Sequence, residues 1–284
     1  MTPPRLVILG CGFAGAEVAR RAIAAGYSVL ASTRQPERGA ALERVGLEVH
    51  IVKRLTADRV RPWVRDGAEV LVAFAPDGST DAEIAPALGA ASHVVYISTT
   101  GVYGAHRGRV DEATQVDPSE SRARDRLDAE RCYRDGGATV LRAAGIYGPG
   151  RGLHLRIKSG TFRIPGDGQN VVSRIHVADL AEMVLGVFRR ARASESPRAA
   201  RSELFVAADD TPVPQIEAIA WLCRRLGVSM PPSVPIDEAP TTLRHDRAVD
   251  NRRIKAWTDL ALRYPSYREG FEACLAAEAS VDAV

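Results

Sequence analysis

The sequence contains little cysteine, lysine or aromatic residue and has no long apolar run. Of its 284 residues, four are cysteines and 6% are aromatic. Cys11, Cys132, Cys223 and Cys274 form no Cys-x-x-Cys pair and match no zinc spacing. We therefore expect no disulfide framework and no metal site, and the composition favours a reducing, cytoplasmic setting.

Net charge is also small, at +3 over the whole chain. This excess is too low to indicate nucleic acid or an anionic membrane as a partner. The absence of a long apolar stretch, a leader or a lipidation pattern predicts no membrane association. With 45% hydrophobic and 26% charged residues, the composition is typical of a soluble globular protein.

The most informative segment begins at residue 6. Four apolar residues, 6–9, indicate a strand that is buried on both faces of a parallel sheet. The pattern Gly-x-Gly-x-x-Gly follows at Gly10, Gly12 and Gly15, and a helical pattern comes next. A glycine turn without a ligand is the alternative, but the order of strand, turn and helix favours dinucleotide binding.

Each glycine has an expected role in that turn. Gly10 permits the tight bend, Gly12 lets the backbone approach a pyrophosphate, and Gly15 lets the helix pack closely on the strand. The first helical residues, Phe13 and Ala14, would present free N–H groups to the phosphates. These five residues are therefore predicted to bind the cofactor.

The second predicted strand, Ser28–Thr33, indicates which dinucleotide is preferred. Sites for NAD place a carboxylate about 20 residues after the glycine motif, to bind the ribose 2′-hydroxyl. Thr33 and Arg34 occupy this place, and a guanidinium pairs well with a 2′-phosphate. We therefore predict NADP rather than NAD, although Arg34 as an ordinary solvated side chain is the alternative.

Strand and helix patterns alternate through the first half of the chain. This alternation predicts a doubly wound parallel α/β sheet, the Rossmann fold, with ligands at the carboxyl ends of the strands. Residues 81–88 and 121–134 are expected to be helical. The remaining predicted strands cover residues 47–52, 70–75, 93–98 and 138–142.

The second half is less regular, with turns at 148–152 and 164–168. Residues 177–190 and 213–226 have helical patterns, and 191–202 is expected to be a surface loop. We assign residues 1–150 mainly to the dinucleotide-binding domain. Residues 151–284 are expected to form mainly a small substrate-binding lobe, with some segments returning to the sheet.

Several motifs occur in an order that resembles the extended short-chain dehydrogenase/reductase superfamily, in particular the NAD-dependent epimerase/dehydratase family. They are the glycine turn and residues 96–104, 110–112, 141–150, 174–180 and 264–270. The resemblance implies a nicotinamide cofactor, a small-molecule substrate and a possible homodimer. It also implies that the loops holding Ala75, Ser98 and Ala144 pass beside the cofactor.

The resemblance implies a role for Thr99, whose hydroxyl would bind the reacting oxygen of the substrate. The family's acid/base is a Tyr in a Tyr-x-x-x-Lys pair. When the helix is aligned on Glu130, this chain has Arg122 and Arg126 at those two places. Arg126 is expected to bind a ribose hydroxyl, but Arg122 cannot act as an acid/base near neutral pH.

The missing tyrosine leaves two hypotheses open. Tyr103, just beyond Thr99, is the first choice for a substitute acid/base, with a packing role as the alternative. The first hypothesis is an NADP-dependent oxidoreductase or epimerase-like enzyme acting on a small carbonyl or a sugar-nucleotide-like compound. The second is a non-catalytic NADP-binding sensor or scaffold.

Overall fold

A computed structural model of the chain describes residues 3–64, 67–194 and 202–282. Its strands are β1 Arg5–Leu9, β2 Ser28–Thr33, β3 Glu48–Ile51, β4 Glu69–Val72, β5 His93–Thr99, β6 Arg107–Val110, β7 Thr139–Ala143, β8 Gly145–Tyr147, β9 Ile164–Pro165, β10 Val171–Val172, β11 Arg174–His176, β12 Leu204–Ala207, β13 Val213–Pro214, β14 Ser233–Val234 and β15 Asp246–Val249. Its α-helices are α1 Phe13–Ala24, α2 Pro36–Glu43, α3 Ala57–Val60, α4 Thr80–Ile84, α5 Ser121–Asp135, α6 Leu153–Lys158, α7 Val177–Ala193, α8 Gln215–Leu226, α9 Arg252–Thr258 and α10 Tyr267–Asp282.

The centre of the fold is a parallel sheet to which the described residues contribute seven strands, in the order β12-β7-β5-β4-β1-β2-β3. Alternate residues of β1 enter different cores. Leu6 and Ile8 pack into one cluster, whereas Val7 and Leu9 pack into the cluster on the opposite face. A strand buried on both faces has a continuous apolar sequence, which confirms the prediction for β1.

The order in which the chain adds strands to the sheet reverses between β1 and β4. From β1 the chain proceeds outward to β2 and β3, and it then crosses to β4 and continues through β5, β7 and β12. Ligands of doubly wound sheets bind at such a reversal, beyond the carboxyl ends of the strands. The two loops there are in close contact, because a Cβ on Gly10 would lie 2.6 Å from Phe74 Cβ.

Several predicted boundaries differ from the structure. The fourth strand ends at Val72 rather than at residue 75, so the following three residues form a loop. The helix predicted at 81–88 is α4 followed by a 3₁₀ turn, Ala85–Leu88. Pro86 explains this break, because it lacks the N–H that an α-helical hydrogen bond requires.

Two further differences lie in the second half. The helix predicted from residue 213 begins at Gln215, because Val213 and Pro214 pair with β10 instead. Residues 191–193, predicted as loop, are the last turn of α7. Residues 195–201 of the same prediction lie outside the described part of the chain.

The C-terminal half contributes both to the central sheet with its core and to a separate apolar cluster. β12 joins the central sheet beside β7, and α7 packs into the core that also contains α1. The other segments form a separate apolar cluster around Tyr147, Phe162, Leu222 and Phe271. The predicted α/β fold with a small C-terminal lobe is therefore confirmed. Among the helices that the structure describes, none is long and apolar enough to cross a membrane.

Candidate functional site

A cavity of about 260 Å³ lies at the reversal point of the sheet. It is bounded by the glycine turn, the ends of β2 and β3 and the loop after β4. Its lining residues are Gly10, Cys11, Gly12, Ser32, Thr33, Arg34, Gln35, Arg38, Val52, Lys53, Arg54, Leu55, Ala73, Phe74, Ala75, Asp77 and Thr80. The lining combines an apolar side, suited to a flat aromatic ring, with a basic side.

The glycine turn has the geometry of a phosphate-binding loop. Gly10 has φ of +82°, and its N–H donates to Ser32 Oγ at 3.1 Å. A Cβ on Gly12 would meet no side chain closer than Arg38 Nη1, at 3.8 Å, so the backbone there is approachable. No side chain caps α1, which leaves the first N–H groups of the helix to a ligand.

The third glycine serves packing. A Cβ on Gly15 would lie 3.1 Å from Ile8 Cγ2, so a larger residue would push α1 away from β1. Phe13 and Ala14 form the first turn of α1 but do not line the cavity. These two predicted cofactor residues contribute helix N–H groups at the turn, rather than side-chain surface in the cavity.

Four basic residues lie along one side of the cavity: Arg34, Arg38, Lys53 and Arg54. Arg54 forms an ion pair with Glu83, with 2.7 Å between Nη2 and Oε2. Within the described residues, no carboxylate lies within 4.0 Å of the other three cations. A concentration of unpaired positive charge beside the end of β2 suits a phosphate monoester.

Asp77 carries the only carboxylate among the described residues that line this cavity. Its oxygens accept hydrogen bonds from the Thr80 side chain at 2.7 Å and from the Thr80 and Ser79 N–H groups at 2.8 and 3.1 Å. These bonds lower its pKa to about 2. The Asp77 carboxylate is thus hydrogen-bonded to residues at the start of α4 rather than paired with one of the unpaired cations.

Cys11 lies within the glycine turn but is not a reactive thiol. It is 1% exposed, and burial raises its pKa to about 12. A thiol with such a pKa is almost entirely protonated near neutral pH. All four cysteines are free in the structure.

Thr99 ends β5 and is oriented by its own loop. Its Oγ1 accepts a hydrogen bond from the Gly101 N–H at 3.1 Å. Because that bond occupies an oxygen lone pair, the hydroxyl proton is left to point toward a ligand. The side chain is half-buried at the carboxyl edge of the sheet. This placement suits a donor to a substrate oxygen.

Tyr103 does not occupy a position from which it can protonate a substrate. It is fully buried, and its hydroxyl donates to the Asp111 carbonyl at 2.9 Å and accepts from Arg142 Nη1 at 3.1 Å. Burial raises the pKa of the Tyr103 hydroxyl above its usual value. The structure therefore speaks against the prediction of Tyr103 as a substitute acid/base and gives it a packing role.

The helix α5, which lacks the Tyr-x-x-x-Lys pair, is bonded to the central sheet through charged side chains. Glu130 is 3% exposed and accepts hydrogen bonds from Arg142 Nη2 at 2.7 Å and from Arg142 Nε, which lies 3.0 Å from Oε1 and 3.3 Å from Oε2. It also accepts one from Ser98 Oγ at 2.5 Å. Burial opposes the charge of Arg142, but the bonds to Glu130 outweigh it and raise the Arg142 pKa. Ser98 is therefore occupied by the protein rather than open to a cofactor.

Arg126, one turn earlier on the same face of α5, is also engaged. Its Nη1 donates to Tyr96 Oη at 2.8 Å and to the Ile97 carbonyl at 3.3 Å. Arg122, at the place of the missing tyrosine, is exposed. The Arg126 guanidinium thus faces the end of β5, and its expected contact with a ribose stays a prediction.

The turn after β8 packs closely against the first residues of α1 and α7. A Cβ on Gly148 would lie 2.6 Å from Val177 Cγ1 and 3.2 Å from Phe13 Cζ. The Arg151 guanidinium stacks over the Phe13 ring, with 5.2 Å to the centroid. Ala144 is buried beneath this region. The sequence reasoning missed the Arg151–Phe13 contact, which no spacing rule indicates.

Five of the predicted cofactor residues lie together in the cavity, namely Gly10, Gly12, Thr33, Arg34 and Ala75. The other five, Phe13, Ala14, Gly15, Ser98 and Ala144, are not part of its lining. Lys53 also lines the cavity but was not among the predicted residues; its position just after the third strand was the available signal.

Comparisons with known proteins place this site in a wider context. Residues 82–201 match the model of the NAD dependent epimerase/dehydratase family. A functionally unknown conserved protein from Silicibacter pomeroyi DSS is 30% identical, with a TM-score of 0.80, covering 96% of this chain and 99% of its own. A putative NAD-dependent epimerase/dehydratase from Methylobacillus flagellatus is 27% identical, with a TM-score of 0.78 and coverage of 98% and 99%.

A more distant structure shares the fold. UDP-glucuronic acid 4-epimerase from Bacillus cereus, solved with UDP-glucuronic acid and NAD, is 14% identical with a TM-score of 0.78, covering 98% of this chain and 99% of its own. No curated protein matches the chain. From the motifs, the sheet order and these similarities, the chain belongs to the NAD-dependent epimerase/dehydratase family of the extended short-chain dehydrogenase/reductase superfamily.

Proposed function

We propose that the protein binds NADP(H) in preference to NAD(H) and uses it in oxidoreductase or epimerase-like chemistry on a small carbonyl compound or a sugar nucleotide. The observation that carries this proposal is the basic side of the cavity, where Arg34, Arg38 and Lys53 have no carboxylate partner among the described residues. The neighbour from Bacillus cereus contains NAD, so the proposed preference rests on this chain's own side chains.

The chain's residues fit a dinucleotide in a definite order. Val52, Leu55 and Phe74 offer an apolar slot for the adenine, and Arg34 with Lys53 would hold the 2′-phosphate. The pyrophosphate would lie over Gly12, where the helix N-terminus and Arg38 both favour negative charge. This order directs the nicotinamide toward the end of β5.

At that end Thr99 would bind the reacting oxygen. Its hydroxyl proton is free because Oγ1 already accepts from Gly101 N–H. Donation to a developing alkoxide stabilises negative charge without adding an ionisable group. The nicotinamide, when bound, supplies or accepts a hydride. With Tyr103 buried and arginines at positions 122 and 126, we propose that water exchanges the remaining proton.

The proposal extends to the organisation of the chain. Residues 151–284 would supply most of the substrate lobe, while β12 and α7 support the sheet. A cytoplasmic homodimer, formed through helices that flank the sheet, is part of the same proposal.

A non-catalytic sensor is the second candidate, and the burial of Tyr103 is the observation that favours it. Turnover separates the two. We expect the protein with NADPH to reduce at least one member of a panel of aldehydes, ketones and keto-sugar nucleotides. Thr99→Val should then lower kcat at least ~100-fold, as the loss of an oxyanion donor does.

The matched control is Thr100→Val, the next residue on the same loop, which should retain most of the activity. Binding of NADPH without turnover of any compound would favour the sensor. Undiminished turnover in Thr99→Val would contradict the role of that hydroxyl.

A further inference from the structure

Arg247, on β15, is a buried arginine without a carboxylate partner. It is 4% exposed, and its Nη1 donates to the Gly104 carbonyl at 3.3 Å. Within the described residues, no carboxylate oxygen lies within 4.0 Å of its guanidinium. Arg142 is equally buried, but its Nε and Nη2 both donate hydrogen bonds to the Glu130 carboxylate. Arg247 therefore lacks the carboxylate that compensates the charge of Arg142.

The position of Arg247 connects the lobe to the proposed reaction centre. Gly104, its hydrogen-bond partner, ends the loop that begins at Thr99. On the adjoining strand β6, Gly108 is the register partner of Arg247, and a Cβ there would meet nothing within 4 Å. Register partners project to the same face of a sheet, so at Gly108 the strand β6 places no side chain beside Arg247.

The charge of this side chain requires an explanation. A guanidinium has five N–H donors and stays protonated in proteins, so it cannot escape burial by becoming neutral. Burial lowers the Arg247 pKa to about 10, against the opposing effects of Tyr103 and the exposed Glu120. A single carbonyl satisfies one donor and leaves the charge uncompensated.

A second buried arginine, Arg174, lies on the strand β11 and gives a comparison. Arg174 is 6% exposed, and its Nη1 donates to the Val172 carbonyl at 3.2 Å. Val172 is the register partner of Arg247 on β10. Asp209 faces Arg174 at longer range, and it has one buried carboxylate oxygen without a hydrogen-bond partner. Arg174 thus differs from Arg247, because a carboxylate faces it.

We propose that Arg247 binds an anionic group of the substrate, a carboxylate or a phosphate, and so selects negatively charged carbonyl compounds. This inference rests on the proposed function, because it places the substrate between the Thr99 loop and β15. The planar guanidinium can hold either group by two parallel hydrogen bonds. Arg247 is thus a substrate-specificity residue.

The test is a calorimetric titration of malonate and, separately, of inorganic phosphate into protein saturated with NADP⁺. Saturation occupies the cofactor's phosphate sites, so the remaining anion site is measured. We expect saturable binding of one of the two probes, which also distinguishes carboxylate from phosphate. Arg247→Met should weaken binding of that probe at least ~10-fold. Arg247→Lys retains the positive charge but cannot form two parallel hydrogen bonds, so it should weaken binding less.

Arg109→Met is the matched control, since it removes an exposed arginine from the adjoining strand β6. It should leave anion binding unchanged. Equal binding by wild type and Arg247→Met, no saturable binding of either probe, or an equal loss in Arg109→Met would overturn the proposal. If Arg247→Met fails to fold, Arg247→Lys with unaltered affinity and probe preference would overturn it.

The outcomes separate this inference from the proposed function. Failure of NADP⁺ to bind would contradict the proposed cofactor, yet the difference between wild type and Arg247→Met would still report on the anion site. Normal NADP⁺ binding together with no effect of Arg247→Met would contradict the anion site alone.

Discussion

The two ends of the cleft are built on opposite electrostatic principles. At the adenosine end, Arg34, Arg38 and Lys53 face an open cavity without carboxylate partners among the described residues. At the reaction end, Glu130 and Arg142 are buried and bonded to each other. Charges left unpaired beside open volume are available to a ligand, whereas charges paired inside the protein stabilise the fold.

This difference clarifies the departure from the family's Tyr-x-x-x-Lys pair. The helix face that carries Arg122, Arg126 and Glu130 is used largely for attachment to β5 and β7. The proposed adenosine end, in contrast, combines the glycine turn with an open cavity. Substitutions at the two ends should therefore affect different quantities, stability at one and ligand affinity at the other.

The largest effect is expected from Glu130→Gln. Removing the carboxylate leaves Arg142 buried with an uncompensated charge, which should lower the free energy of unfolding by about 3–5 kcal/mol. Urea denaturation measures it. The control is Asp128→Asn, whose exposed ion pair with Arg131 should contribute less than about 1 kcal/mol. Similar losses in both variants would contradict the claim that the buried Glu130–Arg142 pair stabilises the fold more than an exposed ion pair does.

Gly10→Ala should have the next largest effect. The residue has φ of +82°, and the new Cβ would lie 2.6 Å from Phe74 Cβ, so strain and overlap add. We expect a loss of about 2–4 kcal/mol of stability, with NADPH binding abolished. Gly26→Ala is the matched control, since φ is +84° there but nothing lies within 4 Å. It should cost about 1–2 kcal/mol and leave binding intact.

The fold could be predicted from the sequence to a large extent because its signals are local. The apolar run of β1 and the glycine spacing each depend on neighbouring residues only, and β2 was predicted with its observed bounds. Boundaries failed where tertiary pairing or a proline intervened. Val213 and Pro214 form a strand because β10 lies beside them, which no helical period reveals.

The candidate site was predictable at one end only. Arg34 follows β2 directly, so its place in the cavity follows from the topology of the sheet. Tyr103 is close to Thr99 in sequence, but its orientation depends on Arg142, which is 39 residues away. Burial and long-range hydrogen bonds of this kind are set by packing, so a candidate acid/base cannot be chosen from spacing alone.

Arg34→Ala should affect ligand binding rather than stability. Loss of a charge-assisted bond to the 2′-phosphate should weaken NADPH about 10-fold and leave NADH unchanged. Arg59→Ala removes an exposed arginine that is not part of the cavity lining and serves as the control. A parallel loss of NADPH and NADH affinity would indicate a general effect on the site, against the proposed contact.

The smallest effect concerns Asp77. Its folded pKa of about 2 lies below the unfolded value, so its contribution to stability is present above about pH 4 and is lost as the pH falls toward 2. Because the carboxylate is largely exposed, we expect Asp77→Asn to cost less than about 1 kcal/mol near pH 6. The gap between the urea midpoints of the two proteins should narrow as the pH falls from about 4 toward 2, and a gap that widens on acidification would contradict this sign.

The most direct test of the account is a calorimetric titration of the wild-type protein with NADPH and, separately, with NADH. The unpaired cations at the adenosine end predict that NADPH binds at least ~10-fold more tightly, a difference of about 1.4 kcal/mol. Equal affinities, or tighter binding of NADH, would contradict the claim that this end of the cleft is built for a 2′-phosphate.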